Sequence, residues 1–512
     1  MHLHAEKSPF AADGAAAYRD HTKSREGNSR WMAAESATSA VEATMETLTV
    51  AGRQDDLVDV GAAELSSLQR RMDGHIVLPT DPGYDTARRV WNGTVDRYPG
   101  LIVYCSGAAD VAVAVGFARE HDLRASVRAG GHNVTGNAVC DGGLVIDVSR
   151  MKRASVDPES RSVHAEAGLL LGELDTATQA HGLATTMGVN SDTGIAGLTL
   201  GGGIGRLARS HGLACDNVLA ARIVTADGRL LTASAEENPD LYWAIRGGGG
   251  NFGIVTEFTY RLHPVGPTVV GGSLVFNGAG LRDAILNFDE FARTAPDELS
   301  ADAALVTGPD GRPAFSISVC HAGPVADGLR AVEPLRKLGK PIADGIGPVA
   351  YTDLQAAADA MFQRGRRYYW KAQMLPGISA TAADELVDCF SRAPSPLSIM
   401  PLQQFGGAVT RIPTDATAYP HRSAAFDCFP VAIWEDPAED EANVRWARET
   451  WRAMSVHSTG AVYSNNLGDE GYERIRAAYG ENYPRLQRVK ARYDPDNFFN
   501  GNQNIEPAPD IA

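Results

Sequence analysis

Three glycine-rich segments constrain what this 512-residue chain can fold into more than any other feature of its sequence. They span residues 130–136, 194–205 and 247–253. Glycine has no Cβ, so it lets backbone N–H groups approach an anion closely and form a concave binding surface. Turns and close strand packing explain any single cluster equally well, but they explain the set of three poorly. Together the segments predict a site for a long ligand that contains a diphosphate.

The third glycine cluster contains a formal G-x-G-x-x-G pattern, but its surroundings exclude a Rossmann dinucleotide site. The pattern is formed by Gly248, Gly250 and Gly253. A Rossmann fingerprint follows a strand and opens a helix, which places the pyrophosphate at the helix N-terminus. Here a helical pattern over residues 241–246 precedes the glycines, and a β-type run begins at Ile254. No cluster carries the G-K-[ST] ending of a P-loop, so that nucleotide site is excluded as well.

The charge balance and the cysteine pattern exclude several classes of protein. The chain has 47 Lys and Arg against 63 Asp and Glu, a formal net charge of −16, and no basic tract that suits a nucleic-acid backbone. Its 6 cysteines are scattered without a C-x-x-C pair, which predicts free thiols and neither a zinc site nor a disulfide scaffold. No apolar run is long enough for a membrane span or a secretory signal. We therefore expect a cytoplasmic protein that binds no nucleic acid, no membrane and no metal.

Changes in composition along the chain predict four segments. Residues 1–69 contain few large apolar side chains, so they are predicted to form a flexible N-terminal extension. Residues 70–265 hold short β-type runs separated by turn residues, and residues 266–455 form a second region with fewer glycines. Residues 456–512 return to the turn-rich, Asn-rich composition of the first region, which predicts that they fold back onto it. Because strands and helices mix without regular βαβ alternation, we expect an α+β fold.

Five motifs occur in a fixed order along the chain and carry a specific resemblance. They are R-A-G-G-H at residues 128–132, D-T-G-I-A-G-L-T-L-G-G-G-I-G at 192–205, H-G-L-A-C-D-N at 211–217, N-P-D-L-Y-W-A-I-R-G-G-G-G-N-F-G at 238–253, and Y-D-P-D-N-F-F-N-G-N-Q-N-I at 493–505. This set, which covers roughly residues 70–508, resembles the bacterial berberine-bridge-enzyme-like branch of the vanillyl-alcohol-oxidase/p-cresol-methylhydroxylase flavoproteins. The resemblance implies a p-cresol-methylhydroxylase-type FAD-binding domain plus a substrate domain in which helices cover an antiparallel sheet.

The resemblance also implies that FAD is bound covalently through one histidine. In this family the histidine of R-x-G-G-H bonds to the 8α-methyl group of the flavin, and here that residue is His132. Many relatives add a cysteine tether, but no cysteine lies between Cys140 and Cys215, and Asn190 occupies the matching position. Asn190 and Thr193 are expected beside the isoalloxazine, where they affect oxygen access. Further implied cofactor contacts are Arg128, Gly130, Gly131, Asn133, Gly136, Asp192, Gly194, Gly197, Leu198, Gly202, Gly203, Gly205, Gly253, Ile254, Val255, Asn500 and Asn502.

Such a flavin oxidises a C–H bond beside an oxygen or nitrogen, so the protein has to supply a proton acceptor. The resemblance assigns a place beside the flavin to the tyrosine of a Y-x-N pattern, here Tyr463, as the base or as a hydrogen-bond partner of the substrate. A phenol titrates at about pH 10, so as a base it needs a neighbouring positive charge. In the β-type run 367–371, Tyr369 and Lys371 share one face, and Lys371 supplies that charge if the face lines the pocket. An ordinary core strand with an exposed lysine explains the run equally well.

Other polar residues are further candidates. The alternating Asn500, Asn502 and Asn504 are expected to support the cofactor pocket, although a turn-rich terminus explains them nearly as well. The second region adds polar candidates for the substrate site at Gln403, Gln404, His421 and Arg422.

The resemblance implies an FAD-dependent oxidase that takes hydride from a C–H next to a hydroxyl or amine onto flavin N5, with O2 reduced to H2O2. A dehydrogenase of the same fold, an oxygenase that tailors a natural product, and a flavin-binding protein without catalysis are the alternatives. An intact cofactor framework beside a polar pocket weighs against the last of these. We expect a small-molecule substrate such as a hydroxylated secondary metabolite, and a monomer or a dimer.

Overall fold

Two large hydrophobic cores organise the part of the chain that the computed structural model describes, residues 47–468 and 470–509. The first core contains side chains from residues 48–262 together with C-terminal side chains from residues 479–505. The second core contains only side chains from residues 270–454. The C-terminal segment therefore packs with the first region, and the second region has a core of its own.

Strands are numbered here in chain order. Those of the first region are β1 Thr47–Ala51, β2 Leu57–Gly61, β3 His75–Val77, β4 Leu101–Tyr104, β5 Ala125–Arg128, β6 Leu144–Asp147, β7 Ala154–Asp157, β8 Ser162–Glu166, β9 Leu183–Ala184, β10 Val218–Val224, β11 Leu230–Ser234, β12 Ile254–Arg261 and β13 His263–Pro264. Those of the second region are β14 Thr268–Asn277, β15 Leu299–Thr307, β16 Pro313–His321, β17 Ala343–Asp344, β18 Gly347–Ala350, β19 Arg367–Trp370, β20 Gln373–Leu375, β21 Met400–Gln404, β22 Phe426–Cys428 and β23 Val431–Trp434.

The α-helices are numbered in the same way. They are α1 Ala62–Arg70, α2 Tyr84–Ala87, α3 Ala108–Glu120, α4 Leu171–Gln179, α5 Ile195–Gly201, α6 Ala208–His211, α7 Pro239–Ala244, α8 Leu281–Thr294, α9 Val325–Ala331, α10 Tyr351–Ala356, α11 Ala380–Ser391, α12 Ala408–Arg411, α13 Asp440–Met454, α14 Tyr472–Tyr479 and α15 Tyr483–Tyr493. Across the described residues, none of these helices combines the length and the apolar character that a membrane crossing requires.

Two larger sheets form most of the first region, beside the two-stranded pairs β1-β2 and β9-β13. The four-stranded sheet has the order β3-β4-β6-β5, in which β4, β6 and β5 are parallel and β3 is antiparallel to β4. The central strand β6 is buried along its whole length, as expected for a parallel strand covered on both faces. The five-stranded sheet has the order β11-β10-β12-β8-β7 and is antiparallel throughout. Strand β5 ends at Arg128, the first residue of the R-A-G-G-H motif. The end of this strand therefore fixes where the motif containing His132 begins.

A large antiparallel sheet and the helices α8, α11 and α13 form the core of the second region. The sheet has the order β17-β14-β16-β15-β21-β22-β20, and β18 also pairs with β14. Helix α8 buries side chains at positions 281, 284, 285, 288 and 292, the spacing of an apolar helix face. Helices α11 and α13 add Leu386 and Trp446 to the same core. The predicted α+β class, with helices covering an antiparallel sheet, is confirmed.

The predicted N-terminal extension is wrong for residues 47–69. Strands β1 and β2 form an antiparallel hairpin that pairs Leu48 with Val60, and α1 follows directly. Leu48, Val50 and Val60 are buried in the first core. The reason is the local alternation of polar and apolar residues in T-L-T-V and L-V-D-V, a strand signal that average composition hides. The rest of the predicted extension, residues 1–46, lies outside the described residues.

A fully buried ion pair ties the C-terminal tail to the first region. In α15, Lys490 Nζ lies 2.6 Å from Asp494 Oδ2, and neither side chain is exposed. Lys490 also donates to the carbonyl oxygens of Asn251 and Phe499. The Asp494 carboxylate accepts the N–H of Phe499 and of the residue before it. Burying such a pair is tolerable because every charged atom has hydrogen-bond partners.

Lys490→Met should destabilise the folded protein by about 3 kcal/mol, because it leaves the Asp494 carboxylate buried without its cation. Chemical unfolding of the purified protein, followed by fluorescence, measures this change. The matched control is Lys152→Met, since Lys152 pairs with Glu173 at the surface and its loss should cost less than about 1 kcal/mol. Equal losses in both variants would show that the buried pair contributes no more than a surface pair.

Candidate active site

A continuous cavity of about 660 Å3 lies between the two regions. One wall consists of residues from all three glycine-rich segments, and the tail adds residues 499 and 501–503. The opposite wall is the face of the large sheet, with residues from β14, β15, β16 and β21. The cavity therefore joins the segments predicted to hold a long cofactor to the region predicted to hold the substrate.

His132 lines this cavity in a fixed orientation. Its Nε2 lies 2.6 Å from Asp192 Oδ1, and its ring stacks on Trp91 with a centroid distance of 4.4 Å. Trp91 stacks in turn on Tyr368 at 3.8 Å, so the imidazole is the end of a three-ring stack. Burial lowers the pKa of His132, although the hydrogen bond to Asp192 opposes this effect. A neutral ring whose Nε2–H donates to Asp192 keeps the lone pair on Nδ1.

The glycines of two motifs touch each other behind His132. A Cβ built on Gly130 would lie 2.4 Å from the backbone nitrogen of Gly194, and one built on Gly194 would lie 2.6 Å from the nitrogen of Gly130. Only glycine fits at either position, because real Cβ atoms do not approach within 3.0 Å of other atoms. At Gly197, by contrast, the space for a Cβ is open. The first two glycines bring the segments together, and the third leaves room at the cavity wall.

Orphaned polar atoms indicate that the cavity is built for a polar ligand. The side-chain Oδ1 atoms of Asn190 and Asn502 are buried at the wall and have no hydrogen-bond partner within the described residues. Each such atom costs roughly 1–3 kcal/mol unless a ligand or water satisfies it. These amides, the glycine backbones and His132 fit FAD, which presents hydrogen-bonding groups along its whole length. The described residues contain no group of three or more His, Cys, Asp or Glu side chains placed to hold a metal ion.

Most of the predicted cofactor residues line the cavity. They are Gly130, Gly131, His132, Asn133, Asn190, Thr193, Gly194, Gly197, Leu198, Gly253, Ile254, Val255 and Asn502. Arg128, Asp192 and Asn500 do not. Arg128 forms a buried ion pair with Asp147, so it fixes the strand that carries the motif. Asp192 is hydrogen-bonded to His132, which lines the cavity, and Asn500 is exposed.

Four predicted cofactor glycines serve packing and turns instead. A Cβ on Gly205 would lie 1.6 Å from the carbonyl oxygen of Met187, and one on Gly202 would lie 2.9 Å from the ring of Tyr419. The same holds for Gly203, which faces Ala214, and for Gly136, which faces Val95. Close packing therefore accounts for these four glycines.

Tyr463 lines the cavity but is not built as a base. Its Oη accepts hydrogen bonds from the Gly203 N–H at 2.8 Å and from Asn465 Nδ2 at 2.7 Å. Burial raises the pKa of Tyr463 well above its ordinary value, although the two hydrogen bonds oppose this effect. The described residues place no lysine or arginine against its oxygen. A raised pKa keeps the Tyr463 phenol protonated at neutral pH, which favours a hydrogen-bonding role over that of a base.

Tyr369 and Lys371 do not line the cavity, so the structure does not bring them to the predicted site. Lys371 Nζ lies 2.6 Å from Glu470 Oε2, and the Tyr369 hydroxyl accepts from Arg448 Nε at 2.9 Å. The cavity side of β19 is occupied by Trp370 instead. Side chains of a strand alternate between its two faces, so the prediction that the two residues share a face was compatible with either side.

The remaining polar candidates divide in the same way. Gln403 lines the cavity, and Asn504 does not. Gln404 instead donates to the carbonyl oxygen of Ala292. His421 is bound to the carbonyl oxygen of Ala477, and Arg422 forms a buried ion pair with Asp216. His421, Arg422 and Gln404 thus have structural hydrogen bonds outside the cavity lining.

A polar row on the sheet face is not evident from the sequence. Ser273, Ser318 and Asp302 are directly paired across β14, β16 and β15, and all three line the cavity. Arg206, in the loop between α5 and α6, donates from Nη1 to Ser318 Oγ at 3.1 Å. The available signal was the alternation of serine with apolar residues in A-F-S-I-S-V at 314–319. Only the register of three strands shows that these side chains meet.

Asp427 lies on the same sheet, paired with Gln403, and is completely buried. Asn466 Nδ2 donates to its Oδ2 at 2.7 Å, and its Oδ1 has no partner within the described residues. Burial raises the pKa of Asp427 from 3.8 to about 7. The folded protein therefore retains a proton here that the unfolded chain releases at lower pH.

Asp427→Asn should gain stability relative to the wild type as pH rises from 5 to 7. In that range the unfolded carboxyl is ionised while the folded one is still protonated, so folding stability of the wild type falls with rising pH. The expected relative gain is about 2 kcal/mol, measured by unfolding of both proteins at the two pH values. Asp353→Asn at an exposed position is the control. A constant difference between Asp427→Asn and wild type would contradict a buried, protonated carboxyl.

Comparisons with known proteins agree with this site. The family model described as "FAD binding domain" matches residues 99–234, and the model described as "Berberine and berberine like" matches residues 462–506. The chain is 33% identical over 421 residues to an FAD-linked oxidoreductase of Dictyostelium discoideum, which covers 81% of this chain and 91% of that protein. It is 32% identical over 455 residues to (R)-6-hydroxynicotine oxidase of Paenarthrobacter nicotinovorans, with coverage of 85% and 97%.

A solved structure extends the likeness to the fold. The crystal structure of 6-hydroxy-D-nicotine oxidase from Arthrobacter nicotinovorans matches with a TM-score of 0.80 at 29% identity, covering 85% of this chain and 98% of that one. The first family model includes the glycine-rich segments 130–136 and 194–205, and the second includes Tyr463. The chain therefore belongs to the berberine-bridge-enzyme-like FAD-linked oxidoreductases of the vanillyl-alcohol-oxidase/p-cresol-methylhydroxylase flavoprotein superfamily.

Proposed function

We propose that this protein is an oxidase that holds FAD covalently through His132 and oxidises a C–H bond beside a hydroxyl or amine of a small molecule, with O2 reduced to H2O2. The observation that carries the proposal is the continuity of the cavity, which has His132 and glycine backbones on one wall and a polar sheet face on the other. Bound FAD supplies a ring system that accepts hydride. The protein has to hold that ring, orient the substrate and accept a proton.

The surroundings of His132 support covalent attachment through Nδ1. Asp192 occupies Nε2, so Nδ1 is the ring nitrogen with an available lone pair. The stack on Trp91 fixes the plane of the imidazole, and burial keeps it neutral. A neutral, oriented ring is a nucleophile, whereas an imidazolium is not.

The side chains on the rest of the cavity wall support attachment of the flavin through His132 alone. Among the described residues no cysteine lines the cavity. Asn190, at the position where many relatives carry a second tether, lines it with an amide. Asn190 and Thr193 together leave a small polar surface in this part of the wall, which suits access of dioxygen.

Asp302 is the best-placed proton acceptor. It is the one carboxylate within the described part of the chain that lines the cavity. Its Oδ1 accepts the backbone N–H of Gln404 at 2.9 Å, which holds the carboxylate in place while Oδ2 can take the proton of a substrate hydroxyl or amine. Burial raises the pKa of Asp302 above its ordinary value, although Gln404, Arg206 and Arg209 oppose this effect. A raised pKa makes a carboxylate a stronger base at neutral pH.

Anaerobic mixing of the purified yellow protein with a panel of alcohols, sugars and cyclic amines tests the function. We expect members of one class to bleach the flavin absorption, and admission of air to restore it with one H2O2 formed per substrate oxidised. Bleaching that air restores only slowly, while a quinone restores it fast, would favour the dehydrogenase alternative. Product that contains an atom of labelled dioxygen would favour the oxygenase.

A further inference from the structure

Arg206 is a buried cation that forms no ion pair within the described residues, although the Asp302 carboxylate is close enough to interact with its charge. It is 7% exposed and lines the cavity. Its Nη1 donates to Ser318 Oγ, but its Nε is buried without any partner in the described residues. No carboxylate of the described ranges lies within the 4.0 Å of an ion pair with it. A buried charge with so few partners is costly, so its presence needs a compensating interaction.

Arg209, three residues further on, shows how this fold satisfies a purely structural arginine. It is also buried, but its guanidinium donates to the carbonyl oxygens of Leu299, Phe405 and Ala295. These contacts hold the first region against the second. Arg206 has no comparable set of acceptors: Nη1 donates to Ser318, Nη2 makes no hydrogen bond within the described residues, and the side chain lines the cavity. The two terminal nitrogens of a guanidinium can bind a carboxylate with two parallel hydrogen bonds.

The neighbours of Arg206 define the kind of ligand that completes the site. Ser318 and Ser273 are paired on the sheet face and add two neutral hydroxyl groups beside the guanidinium. The cavity wall also contains apolar side chains, among them Leu354, Met361 and Phe362. This combination suits a molecule with one anionic group and an apolar body.

We propose that the substrate oxidised in this cavity carries an anionic group, a carboxylate or an ionised acidic hydroxyl, which is bound by Arg206 together with Ser318 and Ser273. This inference rests on the proposed function, because it assigns the substrate class of the same site. The diphosphate of a bound cofactor is the other anion in reach of such a cavity. The partner of Arg206, however, is on the sheet of the second region, whereas the predicted diphosphate contacts are backbone N–H groups of the first region.

Binding of probe pairs to the purified flavin-containing protein tests the proposal. The first pair is benzoate and its neutral analogue benzamide, measured by calorimetry. The second is 4-nitrophenolate and nitrobenzene, measured by difference absorption. We expect at least one anion to bind at least tenfold more tightly than its neutral partner, because a charge-assisted hydrogen bond exceeds a neutral one by about that factor. The pair that shows the preference distinguishes a carboxylate from an acidic hydroxyl.

Arg206→Gln should remove the preference for the anion by about tenfold or more and leave the affinity for the neutral analogue unchanged. Arg206→Lys, which keeps the charge without the two-pronged edge, should retain part of it. Arg222→Gln, at an exposed position of β10, is the matched control and should change neither affinity. Flavin content and melting temperature of every variant are measured beside the affinities.

Three results would overturn the proposal. Anions and neutral analogues could bind the wild type equally or not at all. Arg206→Gln could weaken both members of a pair alike. Arg206→Gln could lose the flavin while Arg222→Gln keeps it, which would make Arg206 a cofactor ligand. A flavin-containing wild type that shows no preference for anions contradicts only this inference. A wild type without flavin contradicts the proposed function itself.

Discussion

His132→Ala should carry no flavin after acid precipitation, whereas the wild-type band should fluoresce in a denaturing gel. The expected effect is all or none, because Nδ1 of His132 is the proposed bonding atom and Asp192 occupies the other ring nitrogen. Non-covalent FAD can still bind, since the glycine backbones and the amides of Asn190 and Asn502 remain. The native variant is therefore expected to be yellow at high protein concentration and colourless after denaturation.

Two further variants sharpen the experiment. His164→Ala removes an exposed histidine of β8 and should leave the fluorescent band unchanged. Asp192→Asn keeps a hydrogen-bond acceptor for Nε2 without the negative charge, so we expect slower and incomplete attachment. A band that stays fluorescent in His132→Ala would show that another side chain is the anchor, and peptide mapping of the flavin-labelled fragment would identify it.

Asp302→Asn should lower the rate of flavin reduction by roughly 10²–10⁴, the usual contribution of a positioned general base, while flavin content stays at the wild-type level. The asparagine keeps the shape of the side chain and the hydrogen bond from the Gln404 N–H, so the change removes the negative charge and the ability to take a proton. The measurement is single-turnover reduction of the flavin by a substrate found in the anaerobic screen. The rate of this step reports chemistry without product release.

The pH profile separates Asp302 from other proton acceptors. A base works only when it is deprotonated, so the wild-type rate should fall as pH drops through the pKa of Asp302, which burial raises above 3.8. This acid limb should be absent in Asp302→Asn. Asp427→Asn is the matched control, because Asp427 is a buried carboxyl of the same sheet outside the cavity lining, and its rate at pH 8 should stay within a few fold of wild type.

The competing assignment is Tyr463. Tyr463→Phe should lose less activity than Asp302→Asn, because a phenol with a raised pKa contributes a hydrogen bond rather than a proton-accepting oxygen. If Tyr463→Phe abolishes flavin reduction and Asp302→Asn retains it, the phenol is the base and a positive charge must reach it in the complex.

Local motifs can be interpreted without the structure. Short strands cannot be recognised from the average composition of a segment. The glycines near His132 indicate that another group lies close to the backbone, because glycine alone has no Cβ to block such an approach. They do not identify what approaches: the glycine motif predicts that Gly202 and Gly205 contact the cofactor, whereas a tyrosine ring and a carbonyl group lie against them. Composition predicts an extension over residues 47–61, which form a hairpin, because two short alternating runs barely change the composition of the N-terminal segment.

The sequence by itself determined the cofactor class, the fold class and the position of His132, because each depends on short motifs whose chemistry is local. Only the tertiary structure decided which residues meet the substrate. Alternation along β19 placed Tyr369 and Lys371 on one face, but the packing of the strand turned that face away and Trp370 inward. Ser273, Ser318 and Asp302 lie far apart in the chain and meet through strand register, and Arg206 reaches them from the other region. Contacts of this kind depend on pairing between distant segments, which no local pattern encodes.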